Sequence, residues 1–279
     1  MPTLYVIEPG SRIEKEYQRI LVTKEDKVLQ SVPARLVDEV VLVGSAGATT
    51  QALLSLLDQG VGFSMVTQSG RLRARLRPVD APNLLLRRRQ YAVVEDKDFR
   101  IGVTRSILLG KLKNSRVMSM RIIRKLMKRS DPNQPFLMSQ LARIETSIQQ
   151  VPATADDNTL RGLEGAAAKA YFAIFRAGLN RDEFQEFTKR TRRPPKDPVN
   201  VLLSLGYSLC ADALFTACEV VGLDPYCGFL HTDTYGRPSL ALDLLEEFRS
   251  IIVDSVVLRV INKHIIKPSH FAYSDEGIE

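Results

Sequence analysis

The residues best suited to chemistry lie in one stretch near the C-terminal end, residues 228–248. His231 occupies a turn-rich segment, and Asp243 and Glu246 follow on a predicted helix, for which Ser239 is a plausible N-cap. Residues three apart are neighbours on a helix, so the two carboxylates share a face. Carboxylates beside an imidazole suit a divalent cation. The alternative is a solvated acidic face beside an ordinary loop histidine, and this stretch alone favours the alternative.

A further carboxylate, Glu164, stands beside the apolar stripe of a helix predicted over residues 159–177. It is followed by Gly165 and three alanines, whose small side chains let another helix or a ligand come close to the backbone. A lone glutamate in a helix is most often a surface residue. The neighbouring residues leave the surface and site interpretations equally open.

The composition indicates a protein with a polyanionic partner. The chain has 279 residues, a formal net charge of +7 and a pI of about 9.4. Its length predicts two domains, and 44% hydrophobic residues suffice for a sizeable core. No apolar run reads as long enough to span a membrane and no signal peptide is recognisable, so we expect a cytoplasmic protein. Its three cysteines, without CxxC spacing, are expected to be reduced.

The predicted elements divide the chain near residue 80. Short strands are predicted at residues 3–7, 19–23, 28–33, 39–43, 62–67 and 71–77, with a helix at 49–59. Two prolines mark a linker at 78–83, and everything after it reads as helical. Helices are predicted over residues 136–150 and 159–177, over 199–221 as a buried central helix, and from about 239 to 267.

Positive charge is concentrated at the start of the helical part. Between Arg71 and Arg129 eighteen Lys or Arg residues face only four acidic ones. Basic helices can be solvated surface, but an excess without interleaved glutamates favours contact with a phosphate backbone. A second basic segment, residues 188–200, ends in Asp197-Pro198, a typical helix start, and is either a rigid connector or a further phosphate contact.

Five blocks of sequence, taken together and in order, resemble one known family. The chain is similar over nearly its full length to the CRISPR-associated integrase and endonuclease family of spacer acquisition. The blocks are residues 41–57 with 70–72, residues 88–91 with 111–116 (KLKNSR), residues 160–172 (around LEGAAAKAYF), residues 193–209, and residues 222–249.

The resemblance implies an α+β fold, with an N-terminal β-sandwich domain (1–80, for dimerisation) and a larger all-α catalytic domain (81–279). The family's metal ligands fall on Glu164, His231 and Glu246 here, with Mg²⁺ or Mn²⁺ as the ion. Asp243 matches a nearby acidic position of the catalytic set with a supporting role. The third ligand is often Asp in the family, and Glu keeps the same charge.

The implied function is metal-dependent joining of the 3′-OH of short protospacer DNA into a CRISPR array by phosphodiester transesterification. The alternatives are a structure-specific nuclease acting on branched DNA without integration, and a non-catalytic DNA-binding scaffold. The implied partners are double-stranded DNA (protospacer and repeat), a second copy of the chain in a homodimer, and a small ferredoxin-like second adaptation protein. The residues expected to bind DNA are Arg87, Arg88, Arg89, Arg192, Arg193, Lys196 and Arg237.

Overall fold

The computed structural model describes residues 2–68, 70, 72–76, 83–128, 132–179, 184, 186–191, 195–231, 234–274 and 277–278. The chain forms two compact units, Met1–Pro82 and Asn83–Glu279. Each unit has its own hydrophobic core. Most of the predicted linker, from residue 78 to 82, lies outside the described residues.

In the described part of the first unit the strands form two four-stranded sheets. The strands are β1 (Thr3–Val6), β2 (Arg12–Glu16), β3 (Arg19–Lys24), β4 (Lys27–Pro33), β5 (Glu39–Val43), β6 (Gly47–Ala48), β7 (Gly62–Val66) and β8 (Leu72–Leu76). One sheet has the order β1-β5-β7-β8, with β8 antiparallel to β7 and the other pairs parallel. The other has the order β4-β3-β2-β6, antiparallel except for the β2–β6 pair.

Both sheets and one helix, α1 (Thr50–Asp58), contribute to the core of this unit. The side chains of Ile13 in β2, Val40 in β5 and Phe63 in β7 are almost completely buried in it. The Thr49 side chain caps α1 by accepting a hydrogen bond from the Ala52 N–H at 3.2 Å. The strand predictions are confirmed except that β2 and β6 were missed. Ile13 is the one buried residue of β2, which leaves no apolar alternation to recognise.

The second unit is built mainly of helices. They are α2 (Leu84–Glu95), α3 (Lys97–Met127), α4 (Gln134–Gln150), α5 (Asp157–Gly178), α6 (Pro198–Val220), α7 (Ser239–Phe248) and α8 (Ser255–Asn262). Side chains from α3, α4, α5, α6, α7 and α8 share one core. The helical prediction is wrong at the C-terminal end, where β9 (Tyr273–Ser274) and β10 (Gly277–Ile278) form a short antiparallel pair.

The region predicted as one helix from about residue 239 to 267 is interrupted. A π-helical segment, Arg249–Asp254, separates α7 from α8, and α8 ends at Asn262. Ser239 is the first residue of α7 rather than its cap, a position that Pro238 takes. π-Helical turns are rare, and they are frequent at functional sites.

Helix α6 begins as predicted and is buried only in part. The Asp197 carboxylate caps it by accepting a hydrogen bond from the Asn200 N–H at 2.9 Å. Buried residues concentrate in its N-terminal half, so the prediction of a buried central helix holds for that half alone. The helix has 23 residues and is strongly apolar. Of its most apolar 18-residue window, 17% is buried. By length and composition this helix could cross a membrane, contrary to the prediction from the sequence. One such helix is weak evidence for a membrane span, because the core helix of a soluble protein passes the same test.

Candidate functional site

Two acidic residues of α7, Asp243 and Glu246, face the protein interior. Asp243 is 0% exposed and Glu246 is 3% exposed. A buried carboxylate is costly unless it is paired or hydrogen-bonded, so each must have partners that offset the loss of hydration. The interpretation of this helix as carrying a solvated acidic face is therefore wrong.

Asp243 organises the loop that carries His231. Its carboxylate accepts hydrogen bonds from the backbone N–H groups of Phe229 (2.6 Å), Leu230 (2.9 Å) and His231 (3.0 Å). The loop approaches α7 so closely that a Cβ on Gly228 would lie 2.7 Å from the Ser239 carbonyl carbon and 2.8 Å from Asp243 Oδ2. Glycine at 228 is therefore required for this contact.

The same carboxylate orients the imidazole ring. Nδ1 of His231 lies 2.6 Å from Oδ1 of Asp243, which already accepts the His231 N–H. An ionised carboxylate can only accept, so we assign the proton to Nδ1. The lone pair is then on Nε2. This is the arrangement in which a carboxylate fixes the tautomer and direction of a metal-binding histidine.

Glu164 of α5 and Glu246 of α7 meet at Lys111 of α3. The lysine Nζ lies 2.5 Å from Glu164 Oε1 and 2.7 Å from Glu246 Oε2. Arg249, at the start of the π-helical segment, places its Nη2 3.1 Å from Glu246 Oε1. Carboxylates that are far apart in the sequence thus converge on a single cationic atom.

A close approach of α3 and α7 places Lys111 between these carboxylates. A Cβ on Gly110 would lie 2.6 Å from Cδ of Glu247. The two helices can therefore come this close only if residue 110 has no side chain or if Glu247 shifts. Asn114, one turn further along α3, donates a hydrogen bond to the Glu247 carbonyl at 2.8 Å. Lys111 lies between these two contacts.

The electrostatics of the site keep Glu246 ionised. Burial, the largest influence, would raise its pKa, but the Lys111 ammonium and the Arg249 guanidinium outweigh burial, with a smaller contribution from His231. Together they lower the pKa of Glu246 to about 2. The carboxylate is therefore negatively charged throughout the neutral range.

Within the residues that the structure describes, no three His, Cys, Asp or Glu side chains stand close enough together to hold a metal ion. Lys111 lies between Glu164 and Glu246. The donor set nevertheless fits a divalent cation, because the two carboxylates already hold one cationic centre jointly. Oε2 of Glu246 is buried, and the Lys111 ammonium contacts it at 2.7 Å, so a cation is already held at this oxygen.

Sequence reasoning missed Lys111 as a site residue, although a signal was present. Buried residues of α3 recur at Thr104, Leu108, Ser115 and Met118, and Lys111 continues that spacing. A lysine on an apolar stripe predicts a buried cation that needs carboxylate partners. The side chain is 12% exposed.

A further buried carboxylate, Asp254, was also missed. It accepts hydrogen bonds from the hydroxyls of Tyr171 (2.6 Å) and Tyr207 (2.5 Å). Burial, the largest influence, raises the pKa of Asp254 to about 6, against the lowering effect of the two hydroxyls and of Arg249 and Arg190. The Arg249 guanidinium lies 4.5 Å from the centre of the Tyr207 ring and links this cluster to Glu246.

The residues expected to bind DNA differ in how they are placed. Arg88, Arg89 and Lys196 are exposed. Arg87 and Arg237 are half-buried, and Nε of Arg87 donates to the Gly222 carbonyl at 3.3 Å. Arg192 and Arg193 lie outside the described residues.

Comparison with known proteins identifies the family. The family model described as CRISPR associated protein Cas1 matches residues 4–279, and the chain belongs to that family. A protein named CRISPR-associated endonuclease Cas1 1 from Chlorobaculum tepidum is 36% identical over 99% of this chain and 80% of its own length. One named CRISPR-associated endonuclease Cas1 3 from Thermus thermophilus is 35% identical over 98% of this chain and 78% of its own length.

Solved structures share the fold. A CAS1 protein from Thermotoga maritima superposes with a TM-score of 0.79 at 23% identity, covering 99% of this chain and 83% of that one. A casposase bound to an integration product gives 0.80 at 22% identity, over 100% of this chain and 78% of that one. A chain of a Cas6-RT-Cas1–Cas2 complex gives 0.78 at 26% identity, over 99% of this chain and 30% of that one.

Proposed function

We propose that the chain is a divalent-metal-dependent DNA integrase and endonuclease of CRISPR adaptation. The observation that carries the proposal is the convergence of Glu164 and Glu246, from two different helices, on one cationic atom. The buried Asp243 aims the His231 ring, and the names of the relatives as endonucleases support the same activity.

Glu164, Glu246 and Nε2 of His231 would hold Mg²⁺ or Mn²⁺. When bound, such an ion polarises the phosphodiester and makes a hydroxyl a better nucleophile. The low pKa of Glu246 means that this ligand need not lose a proton before it binds a cation. Asp243 is a positioning residue, because its carboxylate is taken up by the loop N–H groups and by His231.

The reaction needs no nucleoside triphosphate. The 3′-hydroxyl of a short DNA attacks a phosphorus of the target strand, forming a new P–O bond. The P–O3′ bond of the target breaks, and that strand leaves with a 3′-hydroxyl after taking up a proton. If water is the nucleophile, the same site hydrolyses DNA, so integration and cleavage differ only in the attacking hydroxyl.

Exposed cations would hold the DNA through its phosphates. Arg88, Arg89 and Lys196 are accessible for such contacts. Arg87, Arg192, Arg193 and Arg237 complete the proposed set. Contacts of this kind give affinity and salt dependence and carry no sequence information.

The proposed assembly is a homodimer that pairs through the N-terminal unit, with its two sheets packed as a β-sandwich. Joining both ends of one DNA segment requires two sites at a fixed spacing, which a two-fold dimer provides. A small ferredoxin-like second adaptation protein would bridge such dimers. The related chain solved in a Cas6-RT-Cas1–Cas2 complex supports a partner of this kind.

The deciding experiment is strand transfer of a short 3′-OH duplex into a supercoiled plasmid that carries a CRISPR repeat, with the partner protein present. Joined product is expected with Mn²⁺ and wild-type protein, and none with EDTA or with Glu164→Gln. Cleavage without joining would favour the branched-DNA nuclease. Salt-sensitive DNA binding without any reaction would favour the non-catalytic scaffold.

A further inference from the structure

Lys111 occupies the point at which the two carboxylates meet. Its Nζ is within 2.7 Å of an oxygen of both Glu164 and Glu246, and the side chain is 12% exposed. A lysine held this way has few alternative positions. The atom also lies where a cation shared by the two carboxylates would have to lie, so Lys111 and such a cation cannot occupy the site together.

The charges around this point are balanced when no metal is bound. The carboxylates of Glu164 and Glu246 are opposed by the Lys111 ammonium and the Arg249 guanidinium. A divalent cation adds two positive charges to a site where Glu246 is almost fully buried. Positive charges this close together in a region of low dielectric constant repel strongly unless an anion enters as well.

We propose that Lys111 is a built-in competitor of the metal, which must leave the two carboxylates before an ion can bind, and that its released ammonium then pairs with a DNA phosphate. The inference rests on the proposed function, since it assumes that Glu164 and Glu246 are metal ligands.

Two consequences follow from this competition. Metal affinity is lower than the donor set alone would give, because displacing Lys111 costs an ion pair with each carboxylate. Metal and DNA also bind with positive linkage, because the phosphate provides the counter-charge that the displaced lysine needs. Linkage is reciprocal, so each ligand strengthens the binding of the other by the same factor.

In the metal-free protein Lys111 has a structural role. It neutralises two carboxylates that would otherwise repel each other inside the helical unit, and loss of one partner of a buried ion pair is strongly destabilising. Its removal should therefore lower the thermal stability of the metal-free protein and enlarge the rise in melting temperature that a metal produces.

The test is Mn²⁺ binding to the full-length, metal-free chain, measured by isothermal titration calorimetry with and without a short blunt DNA duplex. The variants are Lys111→Met and Lys111→Gln, the second of which can hydrogen-bond to both carboxylates without charge. The matched control is Lys113→Met, two positions along the same helix, where the lysine is exposed.

We expect both Lys111 variants to bind Mn²⁺ at least about tenfold more tightly than wild type, with Lys113→Met unchanged. The duplex should raise the Mn²⁺ affinity of wild type and have much less effect on the Lys111 variants. Melting curves with and without Mn²⁺ report the same competition if a variant is too unstable for calorimetry.

Equal Mn²⁺ affinity in wild type and both Lys111 variants, with binding abolished by Glu246→Gln, would overturn the role of Lys111 and leave the metal site standing. If Glu246→Gln kept full Mn²⁺ affinity, the metal site itself would be wrong, and the inference would fail with it.

Discussion

Glu246 and Asp254 are buried carboxylates eight positions apart, and their surroundings shift their pKa values in opposite directions. Glu246 faces Lys111 and Arg249, and its pKa falls to about 2 although burial opposes this. Asp254 faces the hydroxyls of Tyr171 and Tyr207, and burial raises its pKa to about 6. The difference lies in their partners, since both groups are almost fully buried.

The contrast distinguishes a carboxylate that is suited to binding a metal ion from one that stabilises the fold. A carboxylate held by side-chain cations can exchange one cation for another, as the proposed metal site would require. One held by two tyrosine hydroxyls has its acceptors occupied by groups of the fold itself. Burial and Asp254 raise the pKa values of Tyr171 and Tyr207 well above the usual range, so both keep their protons and continue to donate.

The sharpest test of this contrast replaces each carboxylate by its amide. Glu246→Gln should reduce strand transfer by about three orders of magnitude or more, because the charge that would hold the proposed catalytic cation is lost. Asp254→Asn should stay within about tenfold of wild type, because its role is structural. The amount of joined DNA measures the activity of each variant. An equal loss of activity in the two variants would contradict the different roles of Glu246 and Asp254.

When EDTA removes metal ions, the two carboxylates should affect the free energy of unfolding with opposite pH dependence. The pKa of Asp254 is raised, so its stabilising contribution is present below about pH 4 and is lost as the pH rises through about 6. The pKa of Glu246 is lowered, so its contribution is present above about pH 4.5 and is lost as the pH falls towards 2.

Chemical denaturation across this range, on wild type, Asp254→Asn and Glu246→Gln, checks the prediction. The free-energy difference between wild type and each variant should change by an amount of order 3 kcal/mol. Slopes of the same sign for the two variants would contradict it.

Asp243→Asn should have a smaller effect on activity, of about 10- to 100-fold, because it disturbs the loop and the orientation of His231 and removes none of the proposed metal ligands. The amide cannot accept all the hydrogen bonds that the carboxylate accepts from the loop and the ring. Nitrogen chemical shifts of the imidazole report the change of tautomer directly. Unchanged shifts would mean that Asp243 does not fix the ring.

Substitutions of two glycines should have the smallest effects. Gly228 lies against Asp243, and Gly206 lies against Val253, the residue before Asp254. A Cβ on Gly228 would meet Ser239 and Asp243, and one on Gly206 would lie 2.5 Å from Val253 Cγ1. Each change to alanine should cost about 1–3 kcal/mol of unfolding free energy. Gly228→Ala alone should also weaken Mn²⁺ binding. Gly102→Ala is the control, because nothing lies within 4 Å of its added Cβ.

Local sequence signals predicted most of the elements. Spacing located the helices that carry Glu164 and Glu246, and Asp197-Pro198 marked the start of α6. The signals failed where an element has little apolar pattern, as in β2, or where a helix stays periodic through a π-helical turn, as at Arg249–Asp254. In both cases tertiary packing decides what the local pattern leaves open.

The sequence by itself determined the family, the two-part division into a mainly β and a mainly helical region, and which acidic and imidazole groups are candidates for the site. These depend on residue type and short-range order. Only the tertiary structure decided that Asp243 and Glu246 are buried and that Lys111 joins two carboxylates from other helices. Such contacts join residues far apart in the chain, and their strength depends on burial, which arises only when the helices pack.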